Sequence, residues 1–238
     1  MRCSLKLFGA FFVGFVFLGI AYAWGLSAPS NAFPVEKGTK IVYDVSFGAL
    51  LKGKSTMLYH GMVQLGASRV HSITYTTRFT GGIYSSTAKV YVGEDLFPIR
   101  IETEITRSGR KSKGLQEFFP ERKMAIFTQV IDNNTKMDTL LREFPLQDIT
   151  TLPFYLMSRS LKPSDTLEIS LPQGEYRFVS EGEEIVELRE SDNVRATVIE
   201  SVPPDIKIWM DSNNRIPIKI HLRNSKILMI WEKTEKNK

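Results

Sequence analysis

A hydrophobic period of two recurs along most of this chain and restricts it to strands with one buried and one wet face. Ile41, Tyr43, Val45 and Phe47 fall on one parity, and so do His71, Ile73, Tyr75, Thr77 and Phe79. Ile99, Ile101, Thr103 and Ile105 alternate with Arg100, Glu102, Glu104 and Thr106. Leu167, Ile169 and Leu171 alternate with Glu168 and Ser170, and Ile216, Ile218, Ile220 and Leu222 with Pro217, Lys219, His221 and Arg223. Successive side chains on a strand point to opposite faces, so each run predicts a half-buried strand. Turn-forming clusters lie between the strands: Gly81-Gly82, Gly93-Glu94-Asp95, Asp132-Asn133-Asn134, Pro172-Gln173-Gly174, Glu181-Gly182, Ser191-Asp192-Asn193 and Asp211-Ser212-Asn213-Asn214. The spacing predicts an all-β fold, one large antiparallel meander forming a curved sheet, barrel or half-barrel.

One stretch departs from the period. Between Asp148 and Leu161, the residues Ile149, Leu152, Pro153 and Leu156 follow helical spacing, Thr150 or Thr151 can cap the start, and Lys162-Pro163 ends it. A short helix near 150–161 is expected, a plug or lid that divides the strands into two groups. Pro153 confines itself to the first turn of such a helix, because its ring removes a backbone donor.

The amino terminus has a different grammar. Arg2 and Lys6 precede an uncharged apolar run from Leu7 to Trp24 that closes on Ala21-Tyr22-Ala23, the three-part pattern of a secretory signal. Two outcomes are open: cleavage after Ala23, or retention of residues 7–24 as a single membrane helix of about 20 residues. Either makes the chain an exported protein of the periplasm or cell envelope. The only cysteine, Cys3, precedes the apolar run, which argues against a lipid-modified lipoprotein and leaves no thiols for a disulfide framework or a Cys-ligated metal in the processed chain. The expected organisation is a signal at 1–23, a proline-bearing linker at 24–38 and a single antiparallel β domain at 39–238. Arg2 and Lys6 would leave with the signal and lower the formal charge of +5 by two, too mild a surplus for nucleic-acid binding.

The best motif match misleads. Gly48-Ala49-Leu50-Leu51-Lys52-Gly53-Lys54-Ser55 satisfies the phosphate-loop pattern. Such a loop must open a helix, whose free N–H groups hold the phosphates, and here Thr56-Met57-Leu58-Tyr59 continues as a strand. A glycine-containing hairpin is expected, with neither nucleotide nor any other cofactor. His60, His71 and His221 show no metal-ligand spacing, and the pairs Glu102/Glu104 and Glu183/Glu184 read as solvated. Asp211-Ser212-Asn213-Asn214-Arg215 lacks the glycine and distant glutamate of a calcium loop and reads as a turn.

Two features suggest binding. Aromatic residues recur on strand faces, among them Tyr43, Phe47, Tyr75, Phe79 and Trp209, and a curved sheet could turn them towards an acyl chain or another greasy ligand. Arg107, Arg110, Lys111 and Lys113 place four cations on one glycine-bearing loop, which either is a solvated hairpin tip or meets an anionic membrane surface.

Several segments together resemble the exported bacterial proteins grouped as domain-of-unknown-function family 3108. The opening Gly38-Thr39-Lys40-Ile41-Val42-Tyr43-Asp44-Val45, the glycine turn at 48–53, the helix at 149–160 and the pair Ile206-Lys207-Ile208-Trp209-Met210-Asp211 and Arg215-Ile216-Pro217-Ile218-Lys219-Ile220 carry the likeness. The resemblance implies export, a β fold and a β-turn at Gly48; it brings no catalytic residues. The leading expectation is a non-enzymatic envelope protein that binds a hydrophobic or lipid-like ligand. A structural or interaction module that engages an envelope protein is the alternative, and an envelope hydrolase, which would need His71 or His221 to converge with carboxylates, is the third.

Overall fold

The structure, a computed structural model, describes residues 33–236 apart from 133, 144 and 189–192. The expected signal or anchor, most of the linker and part of the Ser191-Asp192-Asn193 turn lie outside the described residues. Among those described, no helix is long and apolar enough to cross a membrane.

Fourteen antiparallel strands form one curved sheet. The first group is β1 (Thr39–Phe47), β2 (Leu51–Leu65), β3 (Ser68–Phe79), β4 (Tyr84–Val92), β5 (Pro98–Arg107), β6 (Arg110–Phe119), β7 (Met124–Ile131) and β8 (Asn134–Leu141). The second is β9 (Thr166–Leu171), β10 (Gly174–Glu187), β11 (Asn193–Val202), β12 (Ile206–Asp211), β13 (Pro217–Leu222) and β14 (Ile227–Lys236). Each strand pairs with its neighbours in the chain except β8 with β9, and β1 also pairs with β14, so the spatial order runs from β8 through β1 and β14 to β9. The sheet is therefore open between two strands that are consecutive in sequence.

The segment joining those edges carries the helix α1 (Leu152–Met157), with Thr151 before it and proline in its first turn. It is shorter than the expected 150–161. Six residues cannot hold a helix in water alone. Burial sustains it: all six side chains are buried among core residues from both groups of strands. Asp148 shapes the approach, its Oδ1 accepting from the Thr150 backbone N–H at 2.8 Å and from the Thr150 hydroxyl at 2.6 Å. Thr151 Oγ1 in turn donates to Gln147 Oε1 at 2.6 Å.

Glycine bulges bend the longest strands. Gly61 in the 15-residue β2 has φ +89° and Gly182 in the 14-residue β10 has φ +105°, values open chiefly to glycine, and strand register slips at each. The Glu181-Gly182 turn expected from sequence is thus a bulge inside a continuous strand. Another register slip corrects the expected common face of Ile216, Ile218, Ile220 and Leu222. Trp209 pairs with Lys219 but Met210 with Pro217, leaving Ile218 as the extra residue. Ile218 joins an outer apolar cluster with Val186, Val198 and Trp209, whereas Ile220 and Leu222 face the main core.

Candidate binding groove on the concave face

The main core occupies the concave side of the sheet, and at one end it is full. Phe33, in the segment read as linker, stacks on Tyr59 with ring centroids 4.0 Å apart, and contacts the rings of His71 at 4.8 Å and Phe154 at 4.9 Å. Tyr59 Oη lies 2.8 Å from His71 Nδ1. Burial lowers the pKa of His71 against a smaller opposing pull from Glu94, and so favours the neutral ring.

Further along the same strands the described residues do not fill the interior. Tyr43, Ser55, Thr77, Ser86 and Ile105 are successive cross-strand partners from β1 to β5. Three short hydroxyl side chains in the middle of that row cannot reach across the concavity. The result is two adjoining cavities of about 260 and 560 Å³, which share Ser55, Thr77, Tyr84, Ser86, Leu222 and Met229. The inner one runs to Pro153, Phe154 and Met157 of α1, and the outer one opens among hairpin tips. Ligand pockets of roughly 300–1,000 Å³, mostly apolar with a few placed polar groups, are typical of small-molecule sites.

Four polar side chains of this lining are engaged with one another or with the backbone. Ser55 and Thr77 hydroxyls bond each other at 2.9 Å. Tyr43 Oη donates to the Pro217 carbonyl at 2.9 Å, and Tyr75 Oη to the Thr150 carbonyl at 2.6 Å. Burial pushes both phenols above their ordinary pKa, so they stay neutral and present ring carbon to the cavity. Asp148, close to Tyr75, also has its carboxyl raised by burial, in opposition to its two bonds from Thr150. Such a surface offers mainly hydrocarbon shape and contact, with the Arg107 side chain at the outer cavity as a charged group.

The structure brings four of the five singled-out aromatics to the groove: Tyr43 and Tyr75 line the inner cavity, and Phe47 and Phe79 the outer. Trp209 lies on the opposite face, where Lys207 and Lys219 place their ammonium groups over its ring at 5.0 and 4.6 Å and Glu184 accepts its indole N–H. Its parity, shared with Lys207 and Asp211, was the signal of that placement. The four loop cations divide as well. Arg107 lines the outer cavity and pairs across the hairpin with Arg110, whereas Lys113 pairs with Glu104, an exposed ion pair at 3.4 Å. Lys111 is exposed on the same hairpin, opposite Thr106. Sequence reasoning missed Ser55, Ser86 and Ala88 as lining residues, because small side chains carry little hydrophobic signal.

The phosphate-loop match forms the expected hairpin, with Gly48 at φ +58° in the turn and Gly53 already within β2. A Cβ on Gly53 would lie 2.2 Å from the Arg78 carbonyl oxygen, so its glycine serves close strand packing. His60 bonds Thr74, His71 lies at the filled end, and His221 on β13 has its pKa lowered by burial and then by Arg223 and Lys219. The histidines do not converge. No group of three or more metal-binding side chains occurs among the described residues.

No family model matches the chain, and no curated protein matches it. Among solved structures, it is similar to a β-barrel-like protein of domain of unknown function DUF1849 from Brucella abortus. The TM-score is 0.49 at 11% identity, over 84% of this chain and 98% of that one.

Proposed function

We propose that this protein is an envelope protein that holds the hydrocarbon part of a lipid-like molecule in its concave groove. The observation that carries the reading is the pair of adjoining apolar cavities, open at one end and lined where they meet by short, mutually bonded hydroxyls. The leader-like Leu7 to Trp24 run and the resemblance to family 3108 supply the envelope setting. The test is organic extraction and native mass spectrometry of the purified protein, with displacement of a fluorescent fatty-acid probe. A bound lipid or saturable probe uptake is expected. Ser86→Phe, which would fill the junction of the cavities, should weaken probe binding at least about tenfold. No extracted lipid and no uptake would overturn the proposal.

An interaction module is the second reading, and the edge strand β8 favours it. Met137 and Leu141 are 70% and 66% exposed there, and among the described residues the outer edge of β8 has no strand partner. Such an edge can accept an added strand from another protein. Crosslinking through β8 would then recover a stoichiometric protein.

A further inference from the structure

We infer that the open end of the groove is a docking surface for an anionic phospholipid bilayer. The inference rests on the lipid-binding reading of the cavity and assigns the place where that cavity meets its lipid.

Four hairpin tips form this end. The Gly48 backbone N–H donates to the Lys226 carbonyl at 2.9 Å, the Thr80 hydroxyl to the Lys52 carbonyl at 2.7 Å, and the Ser108 N–H to the Ile83 carbonyl at 2.8 Å. These bonds join the β1–β2 tip to the β13–β14 and β3–β4 tips, and the β3–β4 tip to the β5–β6 tip. The rim is therefore a connected frame around the outer cavity.

Its composition is unusual in two ways. Phe47, Leu50 and Ile83 stand 46%, 92% and 41% exposed on it. Grouped exposed apolar side chains of this kind mark an interaction surface, since water gains nothing from them. Second, the segments 47–52, 78–84, 107–111 and 222–227 contain seven cations and no carboxylate. Arg223 is drawn to Glu200 at 2.7 Å. Lys52, Arg78, Arg107, Arg110, Lys111 and Lys226 have no ion pair within 4.0 Å among the described residues. Apolar tips within a ring of cations match a surface that has hydrocarbon beneath anionic headgroups. Arg107 belongs to both the rim and the cavity lining, so the docking surface is continuous with the groove.

The test uses the full chain in a Cys3→Ser background, with an environment-sensitive fluorophore on Leu50→Cys or, at the opposite end of the strands, on Ala67→Cys in the exposed β2–β3 turn. The apolar run Leu7 to Trp24 can hold the chain at any vesicle, so the readout is which end meets the bilayer. With vesicles of phosphatidylcholine and phosphatidylglycerol, the Leu50→Cys label should shift to the blue and resist an aqueous quencher while the Ala67→Cys label stays accessible. With phosphatidylcholine alone, or at high salt, the protection should fall. Each juxtamembrane cation contributes about fivefold to partitioning, so Arg107→Gln with Arg110→Gln should raise the anionic lipid needed for half-protection by about thirtyfold. Equal quenching of the two labels overturns the inference, and so does protection that is indifferent to anionic lipid. Ser86→Phe separates the two readings. Loss of probe uptake with Leu50→Cys still protected supports docking as a property of the rim, whereas probe uptake by the parent chain without protection leaves the groove reading intact and removes this one.

Discussion

The filled and open ends of the concave face are built on the same strands. On β2, Tyr59 belongs to the filled end and Ser55 to the open one; on β3, His71 and Thr77 divide in the same way. Both ends alternate inward and outward side chains along β2 and β3, with a bulge at Gly61 beside the filled end. They differ in side-chain volume and in what crosses the sheet. Rings from β2, β3, α1 and Phe33 meet at the filled end, whereas at the other, short hydroxyls face one another and, among the described residues, leave cavities beside them. An interior position on a β sheet is thus only a place where packing can occur. Close packing needs enough volume from both sides, and α1 with Phe33 supplies it at the filled end.

If α1 is what closes the filled end, Phe154→Ala should be the most damaging single change, with a loss of about 3–5 kcal/mol in urea unfolding. A loss under about 1 kcal/mol would mean that the contrast between the ends does not depend on the helix. The next effect is on pH. His71 has a folded pKa below its unfolded value, so its contribution to stability is present above about pH 6.5 and is lost as pH falls through the folded pKa. The melting temperature should drop between pH 7 and pH 5, and His71→Gln should flatten that slope; an unchanged slope would assign the acid sensitivity elsewhere.

Asp148, at the start of the plug, has the opposite sign. Its folded pKa is raised, so its favourable contribution is complete below the unfolded value of about 3.9 and is lost as pH rises through the folded pKa. Asp148→Asn keeps an acceptor for Thr150 and should match or exceed the parent in melting temperature at pH 7. The gain should vanish below about pH 4, and a clear loss at pH 7 would mean that the ionised carboxylate is needed to hold the plug. Leu50→Ser, at the open rim, should change stability by no more than about 0.5 kcal/mol. A larger loss would show that Leu50 packs against the fold and does not project from it.

Much of this architecture was legible in the chain. Period-two runs marked the strands around Ile41, Ile73 and Ile101, and the faces assigned to Tyr43, Phe47, Tyr75 and Phe79 agree with the groove lining. Where reading failed, a backbone irregularity intervened. A single extra residue at Ile218 reverses every later side chain on β13, and Gly182 bends a strand that sequence alone breaks into two. The helix ends at Met157 because beyond it Ser158 and Arg159 turn out of the core, a limit that spacing does not encode. The cavity was hidden for a different reason. Ser55, Thr77 and Ser86 are unremarkable one at a time and form a gap only when register sets them side by side.

By itself, then, the sequence determined the β class, the meander of hairpins, the central helical segment and a hairpin in place of a phosphate loop, because these depend on local period and turn chemistry. Only the tertiary structure decided that β1 pairs with β14, that Trp209 lies away from the groove, that four distant tips share one cationic rim and that the described residues leave cavities at one end of the concave face. Each of those depends on cross-strand register and on the volume facing a position from elsewhere in the chain, quantities that no single stretch of residues carries.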